Sequence, residues 1–245
     1  MAKIIGVFSG KGGVGKTTCS INLGLAIQGF GDPITLIDCD VKNSNLGLHL
    51  GLYDFPITLY DVLENDINIL EAMYIHSSGL RIIPASVYMI NFDINASKFK
   101  TALNDLESVV MIDSPPGIGE DVLSLMSLCD EIVIITNPDL PSVTDALKTY
   151  QAANDLGKKI AGVLINRTAN RHEIKTKHIE EIFKGAILGT VPEDRNVKRS
   201  IHIKVPLVLY KPHSRASLAF KSAAAKLTGR DYSPPRLLTL RRMFE

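Results

Sequence analysis

The segment Ser9-Gly10-Lys11-Gly12-Gly13-Val14-Gly15-Lys16-Thr17-Thr18 lies between an apolar run, residues 4–8, and a stretch of helical spacing that reaches residue 28. Few folds accommodate such a segment. Its four glycines open backbone angles that other residues avoid. A chain passing from strand to helix through such a loop begins a strand–helix–strand unit. Gly10, Gly15, Lys16 and Thr17 also satisfy the spacing GxxxxGK[ST] in the context the motif requires. Glycines let successive N–H groups turn inward around phosphate oxygens, and the helix starting near Lys16 adds its positive end. Lys16 can reach β- and γ-phosphates, and the Thr17 hydroxyl can coordinate Mg²⁺. Residues Gly10, Lys11, Gly12, Gly13, Val14, Gly15, Lys16, Thr17 and Thr18 are the candidate nucleotide-binding loop.

Further short apolar runs follow at residues 34–37, 80–83, 109–112, 131–136, 160–165, 187–191 and 205–209. Most are rich in Ile and Val and flanked by Gly, Pro, Asp or Asn, which predicts buried strands. Helical spacing fills residues 18–28, 121–129, 143–156 and 173–183 between them. The alternation predicts a single α/β domain with a mostly parallel sheet covered on both faces. Ligands then bind at the carboxyl ends of the strands. The expected division is a nucleotide-binding P-loop domain over residues 1–229 and an appended tail over 230–245, with Pro234-Pro235 ending the last helix.

Two further positions follow from this layout. Asp113 ends the run 109–112, so its carboxylate emerges at the carboxyl edge, where Mg²⁺ or its water shell needs an acceptor. Asn166 ends the run 160–165 and offers both a donor and an acceptor to the edge of an adenine. Its neighbour Arg167 either stacks on that ring or stands in solvent.

Lys11, between two glycines, adds a second cation to the loop. With it, Lys11-Gly12-Gly13-Val14-Gly15-Lys16-Thr17-Thr18 resembles the deviant Walker A loop of the MinD/ParA-type ATPases. The resemblance continues through Ile37-Asp38-Cys39-Asp40, Asn45-Leu46-Gly47, Met111-Ile112-Asp113-Ser114-Pro115-Pro116-Gly117, Thr136-Asn137-Pro138 and Val191-Pro192-Glu193-Asp194, and covers residues 1–228. It implies an ATP-hydrolysing switch with ATP/ADP and Mg²⁺ as cofactors, slow without a partner, that dimerises around ATP. Lys11 then reaches the nucleotide of the second copy. It also implies that Asp40 orients the attacking water, that Asp38 supports the Mg²⁺ side with Thr17 and Asp113, and that Pro192 and Asp194 complete the adenine pocket. Lys11, Lys16 and Asp40 are the catalytic candidates.

Composition narrows the partners. Lys+Arg number 27 and Asp+Glu 26, a net charge of +1, so there is no bulk pull towards nucleic acid or membrane. No run reaches the roughly 18 apolar residues of a spanning helix, and residues 1–16 lack the pattern of a signal peptide. Cys19, Cys39 and Cys129 form no CxxC, which speaks against an iron–sulfur role although Pro115-Pro116-Gly117 is closer to the cluster-carrier branch. The three cysteines fit a reducing cytosol. His172 and His178 are too far apart to share a ligand face, and Lys198-Arg199 reads as a solvated charge run.

The tail is short, basic and apolar. On a helical wheel Leu237, Leu240, Met243 and Phe244 share one side, with Leu238 at its edge and Arg241 inside the arc; Arg242 adds charge. An anionic membrane surface attracts such a segment, and a dimer presents two. The expectation is therefore a cytoplasmic protein, peripheral to the membrane in the ATP state, with an unidentified activating or cargo protein. A DNA-segregation role of the ParA type or a flagellar-type regulator is the alternative.

Overall fold

The computed structural model describes residues 2–86, 94–169 and 173–234. Its strands are β1 (Ile4–Phe8), β2 (Ile34–Asp38), β3 (Tyr74–Ile75), β4 (Arg81–Ile83), β5 (Val109–Asp113), β6 (Glu131–Thr136), β7 (Lys159–Thr168) and β8 (Ile187–Pro192). They form one sheet in the order β3-β4-β2-β5-β1-β6-β7-β8. All pair in parallel except β3, a two-residue edge strand antiparallel to β4. The helices are α1 (Lys16–Gln28), α2 (Leu46–Leu50), α3 (Leu59–Glu64), α4 (Ala96–Leu103), α5 (Glu120–Leu128), α6 (Leu140–Asp155), α7 (Thr176–Ile182), α8 (Arg195–His202), α9 (Leu207–Tyr210) and α10 (Arg215–Thr228).

The middle stretches of the strands are apolar on both sides because both faces of the sheet are covered, and polar residues fall at the strand ends. Successive residues alternate between two cores. Val7, Leu36, Met111, Val133 and Leu164 pack under α1 and α10 with Leu23 and Phe220. Phe8, Ile37, Ile112, Ile134 and Ile165 pack on the other face with Phe99, Met126 and Phe183. β1 lies between β5 and β6, so the strand order turns about it and opens a crevice at the carboxyl ends of the strands, the place where such sheets bind ligands.

The single α/β domain and its parallel sheet agree with the sequence expectation. Two local expectations do not hold. Residues 205–209 form no strand; Pro206 caps α9, and Val208 N donates to Asn22 Oδ1 of α1 at 3.0 Å. A short apolar run looks alike in a strand and in a buried helical turn. The last helix also stops before Pro234: Gly229, at φ 67°, closes α10 after Thr228. The short α2, α3, α8 and α9, and the edge strand β3, gave too few periods to be read from sequence. No helix among the described residues is long and apolar enough to cross a membrane.

Candidate functional site

The loop from Ser9 to Gly15 frames a cleft of about 340 Å³ at the carboxyl edge, lined also by Lys16, Thr17, Thr18, Asp40, Asn45, His49, Pro116, Arg167 and Ile201. Gly15 caps α1 in the left-handed region at φ 92°. A Cβ there would stand 2.6 Å from Asn166 Nδ2, so both angle and space require glycine. Asn166 Nδ2 donates to Val14 O at 2.7 Å and Arg167 Nη1 to Gly13 O at 3.1 Å. These bonds draw the loop's carbonyls towards β7 and leave its N–H groups for an anion. Ser9 Oγ donates to Lys11 O at 3.0 Å, and Gly117 N to Ser9 O at 2.8 Å, which ties the loop to the turn after β5. Lys11 is exposed, and its ammonium has no hydrogen bond or ion pair among the described residues.

Behind the loop lies a buried polar cluster. Asp38 and Asp113 are register partners at the ends of β2 and β5, each 1% exposed. Lys16 Nζ stands 3.4 Å from Asp113 Oδ1, which also accepts from Ser20 Oγ at 2.9 Å. Asp38 turns its oxygens to its own loop: Oδ1 accepts from Asp40 N at 3.0 Å, and Oδ2 from Ser44 Oγ at 2.9 Å and Leu46 N at 3.3 Å. Burial, and next the charge of Asp113, push the Asp38 carboxyl up to about 7 against these bonds. The alternation that would set residues 38 and 40 on one face ends with β2 at Asp38, and Asp40 alone lines the cleft. Burial raises the Asp40 pKa, and the Lys16 charge opposes that rise.

A second hollow continues from the first past Gly15, Thr18, Arg167 and Ile201. Asn166, Pro192, Glu193, Asp194, Val197 and Lys198 line it, so Asn166, Arg167, Pro192 and Asp194 stand around one hollow. Asp194 also caps α8, Oδ1 accepting from Asn196 N at 2.9 Å. Sequence reasoning missed Ser20, Ser44 and His49. Ser20 had a readable signal, since it follows Lys16 by one helical turn and faces the same side. Ser44 and His49 had none, because only the folded loop after β2 brings them in. The tail residues Leu237, Leu238, Leu240, Arg241, Arg242, Met243 and Phe244 and the ring of His172 lie outside the described residues.

The residues fit Mg²⁺. Asp113 Oδ2 is buried and unpaired, and the Thr17 hydroxyl has no protein partner among the described residues. Among those residues no cluster of three or more His, Cys, Asp or Glu side chains could hold an ion by itself. The cysteines are placed differently: Cys19, Cys39 and Cys129 are all buried and free. Burial pushes the thiols of Cys19 and Cys129 up to about 12, and that of Cys39 well above its usual value.

A glycine-rich anion loop, an adjoining lysine and a buried acid at the turning point of a parallel sheet define a P-loop NTPase. The ParA family, described as NUBPL iron-transfer P-loop NTPase, matches residues 1–228. An uncharacterized ATP-binding protein of Methanocaldococcus jannaschii is 38% identical over 95% of this chain and 90% of its own. The septum site-determining protein MinD of Synechocystis is 32% identical over 94% of this chain and 91% of its own. The structure of MinD from Pyrococcus horikoshii complexed with Mg-ADP superposes with a TM-score of 0.84 at 29% identity, covering 93% of this chain and 96% of that one. The chain belongs to the MinD/ParA family of P-loop ATPases.

Proposed function

We propose that this protein hydrolyses ATP as a nucleotide-dependent dimerising switch of the MinD type. The observation that carries the reading is the pairing of an exposed, unpartnered Lys11 with a buried Lys16–Asp113 couple whose Oδ2 is unfilled. Lys16 and the loop N–H groups bind the β- and γ-phosphates. Thr17 and Asp113, with Asp38 beside them, would hold Mg²⁺, which would supply positive charge against the phosphates. Asp38 is a positioning residue: its bonds to Asp40 N, Ser44 and Leu46 hold the loop that presents Asp40. Asp40 accepts a hydrogen bond from the water that attacks the γ-phosphorus. Lys11 of a second copy adds the cation that the single chain lacks there, so hydrolysis waits for the dimer.

The reading extends to place. Residues 1–229 form the switch, and residues 230–245 attach it to an anionic membrane surface when two copies present two tails. Position in the cell, such as a division site, is then set by ATP state and by a protein that triggers hydrolysis. The septum site-determining relatives support this role.

The test is Lys11→Ala. The variant is expected to bind ATP with little change, while light scattering shows no ATP-induced dimer and phosphate release stops. An undiminished dimer in the variant overturns the cross-subunit role.

A further inference from the structure

Residues 195–230 carry nine Lys and Arg and not one Asp or Glu, in a chain whose total charge is only +1. The rest of the molecule is therefore net negative, and this segment is its positive region. It folds as α8, the loop through α9, and α10. At the end of α8 and in the turn after it, four successive residues are exposed: His202, Ile203, Lys204 and Val205. Ile203 is 40% exposed, Val205 38% and Leu209 46%, so aliphatic side chains stand among the cations. Lys204 Nζ sits 4.4 Å over the ring of Tyr53, and Tyr210 lies between Arg199 and Lys211, at 6.0 and 5.7 Å. The Arg199–Tyr210 contact ties α8 to the end of α9, and the Lys204–Tyr53 contact ties the turn between them to the loop after α2. Arg215, at the start of α10, adds one further exposed cation.

Charge alone would suit any polyanion. The aliphatic residues decide between classes: phosphate-backbone recognition has no use for exposed Ile, Val and Leu tips, whereas an interfacial surface needs both apolar tips and flanking lysines. We propose that the patch formed by Arg199, Ile203, Lys204, Val205, Leu209 and Lys211 is a docking surface for anionic lipid, separate from the C-terminal tail. Its source is the headgroup layer of a membrane, with the lysines on lipid phosphates and the aliphatic tips just below. The surface depends neither on the hydrolysis described above nor on the tail. One helix serves both sites, however, because Val197, Lys198 and Ile201 of α8 line the nucleotide cleft while Arg199 belongs to the patch.

The experiment is co-sedimentation of the full-length protein with phosphatidylcholine vesicles, with and without phosphatidylglycerol, in the absence of nucleotide and with ADP or ATP. The wild type is expected on the anionic vesicles only. Lys204→Gln with Lys211→Gln should weaken partitioning by about fivefold per lysine. Adding Ile203→Ser and Leu209→Ser should reduce it further, with binding of a fluorescent ATP analogue unchanged. A full-length Leu240→Glu/Phe244→Glu variant separates the tail: if it alone fails while the patch variants partition like the wild type, the patch proposal is wrong. It is equally wrong if the wild type ignores anionic vesicles. A third overturning result is loss by the lysine variant of affinity for a short DNA duplex while vesicles are left unbound, which would make the patch a nucleic-acid surface. Release by the patch variants with no effect of the tail variant would sustain the patch and refute the tail.

Discussion

The phosphate wall and the base wall of the cleft are built in opposite ways. On the phosphate wall the ionisable side chains of Lys16, Asp38 and Asp113 are buried, and one Asp113 oxygen has no partner. On the base wall Asn166 is bonded to Val14 O and Asp194 to Asn196 N, so their polar atoms already serve the fold. Burying a charge is costly unless it is paired, and an unfilled carboxylate oxygen at 1% exposure marks a place where a ligand completes the pairing. On the proposed reading, nucleotide and metal complete the phosphate wall, and the base wall is a preformed shape. Affinity should depend mainly on the first, and fit on the second.

The largest effect should come from Lys16→Ala. It removes the buried cation that faces both Asp113 and the phosphates. Truncating one member of a buried charge pair costs about 3 kcal/mol, or roughly a hundredfold in ATP affinity by titration calorimetry. A loss of only a few-fold would mean that the loop's N–H groups do most of the binding, and the contrast between the walls would weaken.

Gly15→Ala tests where the walls meet. The residue has φ 92°, and an added Cβ meets Asn166 Nδ2 at 2.6 Å. Strain of this kind costs about 2 kcal/mol, so urea unfolding should show a clear loss of stability without nucleotide. Both walls should suffer together, with ATP and adenosine binding weakened in parallel. If adenosine binding were spared, the two walls would be independent.

How much of this was readable follows the same division. Gly15, Lys16 and Thr17 announced themselves because phosphate binding demands those residue types at that spacing. Asp113 was legible from its place at the end of an apolar run. Asp38 and Asp40 were equally visible as residues, but their roles part only because β2 ends at Asp38, and the carboxylate then bonds residues of a loop whose path no pattern predicts. From the residues themselves the base wall was readable only at Asn166 and Arg167, and Pro192 and Asp194 came from the family resemblance. Its remaining surface is a helix cap and a proline at the end of β8, common features that say nothing of a ligand. The turn at residues 205–209 misled for a related reason: burial against α1 selects the same apolar residues as burial in a sheet.

The pH dependence of stability sharpens the phosphate side. The Asp38 carboxyl is raised from 3.8 to about 7, first by burial and then by Asp113. A raised folded-state value means that the fold holds the proton more tightly than the unfolded chain does. The stabilisation is therefore fully present below about pH 4 and fades as pH rises through about 7. Measured without nucleotide, the melting temperature of the wild type relative to Asp38→Asn should be most favourable at the acid end of that window and least favourable above it. A difference that does not vary with pH would show that Asp38 is ionised throughout and held by its three hydrogen-bond donors alone.

Asn166→Ala should have the smallest effect, and it separates two roles of one amide. Nδ2 spends one of its two hydrogens on Val14 O at 2.7 Å, and an adenine amino group, itself a donor, can be met only by the carbonyl oxygen. Losing one such hydrogen bond is worth about 1 kcal/mol, roughly fivefold in affinity. If the amide acts only as a brace for the loop, ATP and GTP should weaken by the same factor in competition binding. If its oxygen also reads the base, ATP should weaken more than GTP, because guanine presents a carbonyl where adenine presents its amino group. Equal weakening would place the preference for adenine in the backbone and packing around Pro192 and Asp194, leaving the base wall selective by shape. Unequal weakening would give that wall a polar reader after all, and would narrow the contrast with the charged wall opposite.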